Sequence, residues 1–194
     1  MKVSREQVAL NRERIVETAA RLFRQRGYDG IGVADLMKGA GLTHGGFYGH
    51  FASKEDLLAE ATAHALQRSV QRWQEKTASD PAGGLSELAT QYLSTRHRDH
   101  PENGCAIAAL GPDVARLGPA VRSAMTAGVA GQVAVVEKCL AGEGADVAAI
   151  RQQALASYAA MVGAMVLARA VDDEALSQEI LAAVRAQIPA SAPS

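Results

Sequence analysis

The sequence predicts an all-α protein: a small N-terminal three-helix unit followed by a larger helical unit. Three observations carry this. Most apolar residues are alanine, valine or leucine, and only eight aromatics occur in 194 residues. Alanine has the best helix propensity of any residue. No run of alternating β-branched residues demands a sheet, and glycine and proline punctuate a succession of amphipathic segments.

The first helix is predicted from about Arg5 to Arg26. Ile15, Ala19, Leu22 and Phe23 recur at i, i+4, i+7 and i+8, one apolar stripe, and Gly27 stands where glycine closes helices. Val33, Leu36, Met37 and Ala40 form a second short amphipathic helix, interrupted by Gly41. Thr43 is positioned to cap a third, His44 to Phe51. Ser53, with Asp56 three residues on, opens a fourth that reaches about Thr77. Asp80, Pro81, Gly83 and Gly84 then mark a loop. Further helices are expected near 84–98, 103–110, 113–117, 119–141, 145–170 and 173–188. They are separated at His100-Pro101, Gly111-Pro112, Gly118-Pro119 and Gly142–Gly144, and the tail Pro189–Ser194 reads as frayed.

Net charge excludes a uniformly basic nucleic-acid binder: it is −1 over the chain. Residues 1–56 carry nine Lys/Arg against seven Asp/Glu, and seven of those nine cations lie between Lys2 and Arg26. Cys105 and Cys139 do not make a disulfide framework. No apolar leader follows the start. The longest uncharged stretch, Gln152 to Ala168, contains Gln, Ser and Tyr and reads better as a buried helix than as a membrane span. A cytoplasmic protein with reduced thiols and no membrane partner is expected. Enzyme motifs are missing: there is no Gly-x-Ser-x-Gly, no P-loop, and no pair of carboxylates suited to acid–base work.

Two short helices joined by the turn Leu36–Gly41–Leu42–Thr43 outline a helix-turn-helix, in which the second helix enters the major groove. The second helix carries three glycines, Gly45, Gly46 and Gly49, each costing roughly 1 kcal/mol against alanine. Such a local conflict with propensity points to function or close approach. The stretch Val33–Leu57 reads as a short helix, Ala40-Gly41-Leu42-Thr43, Gly45-Gly46-Phe47-Tyr48-Gly49-His50-Phe51, then Ser53-Lys54-Glu55-Asp56-Leu57. In this it resembles the TetR family of transcriptional regulators.

That resemblance implies a helix-turn-helix DNA-binding domain over residues 1–52 and a connecting helix over 53–80. A ligand-binding and dimerisation domain is implied over 81–194. It implies a sequence-specific repressor and no enzyme, with no cofactor and no metal. The implied partners are a pseudo-palindromic double-stranded operator, a second copy of the chain, and a small-molecule effector. Carried over residue by residue, Thr43 caps the recognition helix and touches phosphate. His44 and Gly45 meet base edges, Tyr48 and His50 donate to phosphates, and Lys54 adds a charge-assisted phosphate contact. Phe47 and Phe51 are expected in the core. Gly32, Gly46 and Gly49 depart from the family pattern, each removing a cap or a DNA contact. Affinity is therefore expected to lean on the arm Lys2–Arg14 and on Lys54. The same departures motivate an alternative, a helical interaction module that has lost DNA binding.

In the second half, small residues line 145–170 (Ala154, Ala156, Ser157, Ala159, Ala160, Gly163, Ala164 and Ala168), among Leu155, Met161, Val162, Val166 and Leu167. The last helix adds Leu176, Ile180, Leu181 and Val184. Two such helices per chain suit a four-helix dimer interface, or equally an ordinary core; the resemblance favours the dimer. It also implies an effector pocket, for which Trp73, Tyr92, Cys105, Met125, Tyr158 and Met161 are candidate lining. The segment His97-Arg98-Asp99-His100-Pro101-Glu102-Asn103-Gly104-Cys105 admits three readings. One is a helix end, a proline turn and a buried cysteine. Another is a reactive thiol in a helix first turn near Arg98 or His100. The third is a metal site, which lacks a fourth ligand. Cys139 reads as core.

Overall fold

A computed structural model describes residues 4–141 and 146–188, and no strand occurs among them. Lys2, Gly142–Gly144 and Pro189–Ser194 lie outside the described residues. Helix α1 spans Arg5–Arg26, opened by the Ser4 hydroxyl accepting from the Gln7 N–H at 3.1 Å. Gly27 closes it at φ 72°. Helix α2 spans Val33–Gly39. Gly41, at φ 69°, makes the left-handed turn into the next element, a conformation that strains any residue with a Cβ. Helix α3 spans Lys54–Thr77 behind a reciprocal cap: Ser53 Oγ accepts from the Asp56 N–H at 3.0 Å, and Asp56 Oδ2 accepts from the Ala52 N–H at 3.3 Å.

Three features of the later helices differ from expectation. The supposed loop at Asp80–Gly84 is the first turn of α4 (Pro81–Tyr92). Asp80 caps it through the Gly83 N–H at 3.0 Å, and Pro81 occupies a first-turn position where no N–H is needed. The expected single helix 84–98 breaks after Tyr92, and α5 (Thr95–Asp99) starts afresh under a Ser94 cap. The expected break at Gly111-Pro112 does not occur. Helix α6 (Ala106–Val114) runs through Pro112, whose missing donor falls close to the helix end. Residues Pro101–Asn103 form a 3-10 turn before it. Helices α7 (Pro119–Leu140), α8 (Val147–Ala170) and α9 (Glu174–Gln187) fall where the periodicity puts them.

Two apolar cores result. The N-terminal one gathers Ile15, Phe23, Leu36, Met37, Phe47 and Phe51 with Leu57 and Leu58 of α3. Leu110 and Val114 of α6 and Val121 of α7 complete it, so the first three helices do not close their own core. The C-terminal core gathers Trp73 of α3 with residues of α4 and α6–α9. Helix α8 buries Ala154, Tyr158, Met161, Ala164 and Met165, but leaves Leu155 44% and Leu167 56% exposed. Leu176 of α9 is 43% exposed. Among the described residues α8 is the one helix long and apolar enough to cross a membrane, with 39% of its apolar window buried.

Helix α3 packs most extensively on α7. Gly128 permits it: a Cβ there would stand 2.7 Å from Leu66 Cβ, a side chain that is fully buried. Gly128→Ala is expected to destabilise the fold by about 1–3 kcal/mol through overpacking, measured by urea unfolding. A change near zero would mean that α3 and α7 separate freely.

Candidate nucleic-acid interface and effector site

The recognition element, His44–Gly49, is a 3-10 helix and shorter than the expected His44–Phe51 helix. Its three glycines give little side-chain packing to hold an α-helical turn. One residue anchors it: Phe47 is fully buried against Phe51 at 5.7 Å between ring centroids. Beside it Tyr48 is 70% exposed, and Thr43, His44 and Gly45 are exposed as well. His50 is half-buried. Of the predicted contact residues, Thr43, His44, Gly45 and Tyr48 are thus open to solvent, while His50 is only partly so.

Two expected roles are modified. Thr43 precedes the helix, yet its hydroxyl makes no capping bond; the Gly46 N–H bonds to the Thr43 carbonyl at 3.1 Å. Lys54 is partly buried, its Nζ donating to the Tyr28 carbonyl and lying 4.2 Å from the centre of the Tyr28 ring. That pairing competes with the phosphate contact the resemblance implies. Within the arm, Arg12 pairs with Glu60 and stacks over Phe51 at 4.8 Å, whereas Arg5 and Arg14 are exposed.

Three polar ties bind this unit and the first turn of α3 to the segment 101–118. Arg24 donates to the Glu102 carbonyl through Nε (3.0 Å) and Nη2 (2.6 Å). The Tyr28 N–H donates to Asp113 Oδ2 at 3.0 Å, and the Gly118 N–H to Glu55 at 2.9 Å. Cys105, the N-cap of α6, lies in the same segment.

Of the candidate pocket residues, Trp73, Tyr92, Cys105, Tyr158 and Met161 come together in the C-terminal core. Met125 does not: it packs against the N-terminal core. The Trp73 ring meets Tyr92 at 6.0 Å and Tyr158 at 6.1 Å, both edge to face. Both phenol hydroxyls are buried without a hydrogen-bond partner. Burial first, then the thiol, raises both phenols well above their ordinary range. A cleft of about 920 Å³ opens on Trp73, Tyr92 and Cys105.

The cations beside Cys105 are not those expected from the sequence. Arg98 is held by Asp99, Glu174 and Ser177, and His100 lies against Glu102. His97 is the residue in contact. Its Nδ1–H donates to the Tyr92 carbonyl at 2.6 Å, and its Nε2 accepts from the Cys105 N–H at 2.9 Å. Both ring nitrogens are thereby engaged, and the bonding fixes one neutral tautomer. Arg169, also unmarked in the sequence, donates to the His97 and Arg98 carbonyls at 2.7 and 3.1 Å, leaving Nη1 buried without a partner. No local motif could have shown this, because Arg169 is 72 residues from His97.

A buttressed 3-10 helix behind a glycine turn, with polar residues on its outer edge, defines a helix-turn-helix protein. Residues 15–61 match the family described as bacterial regulatory proteins, tetR family. The repressor NemR of Escherichia coli is 30% identical over 132 residues, 66% of this chain and 66% of that protein. The repressor DhaR of a Mycobacterium species is 28% identical over 145 residues, covering 73% of this chain and 70% of its own. The reduced form of Escherichia coli NemR superposes with a TM-score of 0.75 at 27% identity, over 91% of this chain and 94% of that one. A regulator from Chloroflexus aurantiacus gives 0.74 at 23% identity, over 93% and 95%, and shows the same fold. The chain belongs to the TetR family, whose members are DNA-binding transcriptional regulators and not enzymes.

Burial lowers the His97 pKa to about 4. The unfolded chain therefore binds a proton near pH 6.5 that the folded chain refuses until about pH 4. This contribution to stability is complete above pH 6.5 and is lost as pH falls toward 4, reaching up to about 3 kcal/mol. Thermal unfolding of wild type and His97→Ala across that range tests it: the difference between them should narrow on acidification. A constant difference would mean that His97 titrates normally in the folded protein.

Proposed function

We propose that the chain is a repressor that binds a pseudo-palindromic operator as a homodimer and releases it when an effector or a thiol-directed reagent reaches Cys105. The observation that carries the DNA-binding reading is the contrast between adjacent residues: Phe47 fully buried, Tyr48 70% exposed. An anchored element with a polar outer edge suits insertion into a major groove. His44 and Gly45 read base edges in this proposal, while Tyr48, His50 and Thr43 bond to phosphates. Lys54 joins them when it leaves Tyr28.

The dimer reading is supported by the uncovered apolar strip of Leu155, Leu167 and Leu176 with exposed Ala156, Ala159 and Ala160 between. Small residues let helices approach closely, and two strips related by a two-fold axis would form a four-helix interface. In the division of labour we propose, 1–52 binds DNA, 53–80 connects, and 81–194 holds effector and partner, in the reducing cytoplasm.

Release through Cys105 is supported by the route from that residue to the DNA-binding helices. Modifying Sγ adds bulk between Tyr92 and Tyr158 and strains the bond from the Cys105 N–H to His97. Helix α6 starts at the next residue and ends where Asp113 holds the Tyr28 N–H. Displacing one end of α6 therefore shifts the mounting of α1. The effector's own contacts would come from the cleft lined by Trp73, Tyr92 and Cys105, with Tyr158 and Met161 buried in the core behind Trp73.

Operator binding over a salt series tests the reading, with DNA from the protein's own upstream region against a scrambled duplex. Tight, salt-dependent binding with clear preference for the upstream DNA is expected. Equal weak binding to both duplexes would favour the interaction-module alternative. Tyr48→Phe is expected to weaken binding about fivefold on both DNAs, since a phosphate bond positions and does not specify; an effect confined to one base pair would refute its role. A thiol-directed electrophile should release wild type from the operator and leave Cys105→Ala bound. Equal release of the two would remove Cys105 from the mechanism.

A further inference from the structure

A cleft of about 410 Å³ lies between α1 and α3. Arg21 and Arg24 border it from α1, and His64, Arg68 and Arg72 from α3. Asn103 and Gly104, just before Cys105, close one end. Four guanidinium groups converge on it with a single lining carboxylate, Glu17, which Arg68 already holds at 3.1 Å. Among the described residues Arg21, Arg24 and Arg72 form no ion pair. Like charges held this close repel: burial lowers the Arg24 pKa to about 10, and Arg72 and Arg21 push it the same way, against Glu102. His64 Nε2, on the same wall, is buried without a hydrogen-bond partner.

Arg21, Arg68 and Arg72 are exposed and Arg24 is half-buried. Exposed arginines on neighbouring helices ordinarily separate or alternate with carboxylates, as Arg12 does with Glu60. Here the cations face one another across a concave space, and Arg24 is fixed in place by its bonds to the Glu102 carbonyl. An anion would relieve the repulsion, accept from several planar forks at once, and give His64 a partner.

We propose that this cleft binds a small polyvalent anion carrying phosphoryl groups, one per chain. The bound anion bridges α1 of the DNA-binding unit to α3 and to the turn before Cys105, so its occupancy stiffens the joint that operator release must move. The site rests on the arginine geometry and stands whether or not the repressor reading holds.

Calorimetric titration of inorganic pyrophosphate into the full-length, DNA-free protein tests it. Saturable binding with one site per chain is expected. Arg21→Gln and Arg72→Gln, both at exposed positions, should each weaken it about tenfold, whereas Arg122→Gln on α7 should leave it unchanged. Circular dichroism checks that the variants keep their helical content. No saturable heat up to millimolar pyrophosphate would overturn the proposal, as would equal losses in all three variants. Tighter binding of citrate than of pyrophosphate would overturn the phosphoryl assignment. If the two arginine variants weaken binding to scrambled duplex while pyrophosphate binding is unaltered, the cleft is part of the DNA surface and the proposal fails.

Discussion

Leu57, Leu58 and Ala61 at the start of α3 belong to the core of the helix-turn-helix, and Trp73 near its end belongs to the core of the C-terminal helices. One continuous helix of 24 residues therefore spans both. Its position is fixed by α7, which crosses it so closely that Gly128 has no room for a methyl group beside Leu66. A rigid rod between two cores transmits rotation without bending, because each end is held by packing that resists sub-ångström change. The C-terminal helices meet the N-terminal core through α3, through the segment beside it, and through Val121 and Met125 of α7.

The neighbouring segment, residues 101–118, adds polar ties to the apolar contacts that Leu110 and Val114 make with the same core. It holds the N-terminal unit by Arg24 on a carbonyl, Asp113 on an amide, and Glu55 on the amide of Gly118. Hydrogen bonds of this kind contribute about 1 kcal/mol each and exchange readily with water. The segment is thus a strut held to the N-terminal helices by both apolar contacts and exchangeable polar ones. Cys105 sits at the head of the strut, where its backbone N–H is bonded to His97 and its thiol lies among the unpaired hydroxyls of Tyr92 and Tyr158.

Much of this was legible in the chain itself. The stripe Ile15, Ala19, Leu22, Phe23 fixed α1, and Ser53 with Asp56 marked the start of α3, because capping and amphipathic spacing are local properties. The start of α4 was misread: two glycines after Asp80-Pro81 suggested a loop, although Asp80 as cap and Pro81 in the first turn are themselves helix-start signals. The break at Leu93 has no glycine or proline to announce it. At the site, the alternation of buried Phe47 and exposed Tyr48 followed from the motif. The diversion of Lys54 to Tyr28, the clamp of His97 by Arg169, and the convergence of Arg21 and Arg24 on Arg68 and Arg72 did not. Each joins residues far apart in sequence, and no spacing rule within one helix encodes which helix will lie opposite.

The recognition element has a consequence for how such a protein diversifies. Six residues wound as a 3-10 helix span about 12 Å, against about 9 Å for an α-helix. Half of them lack side chains. Nothing lies within 4 Å of where a Cβ would stand at Gly45 or Gly49, and neither glycine has a positive φ. Substitutions there alter the surface offered to a partner while Phe47 keeps the same seat. The shape of that outer surface is therefore free to vary at these two positions at little cost in folding.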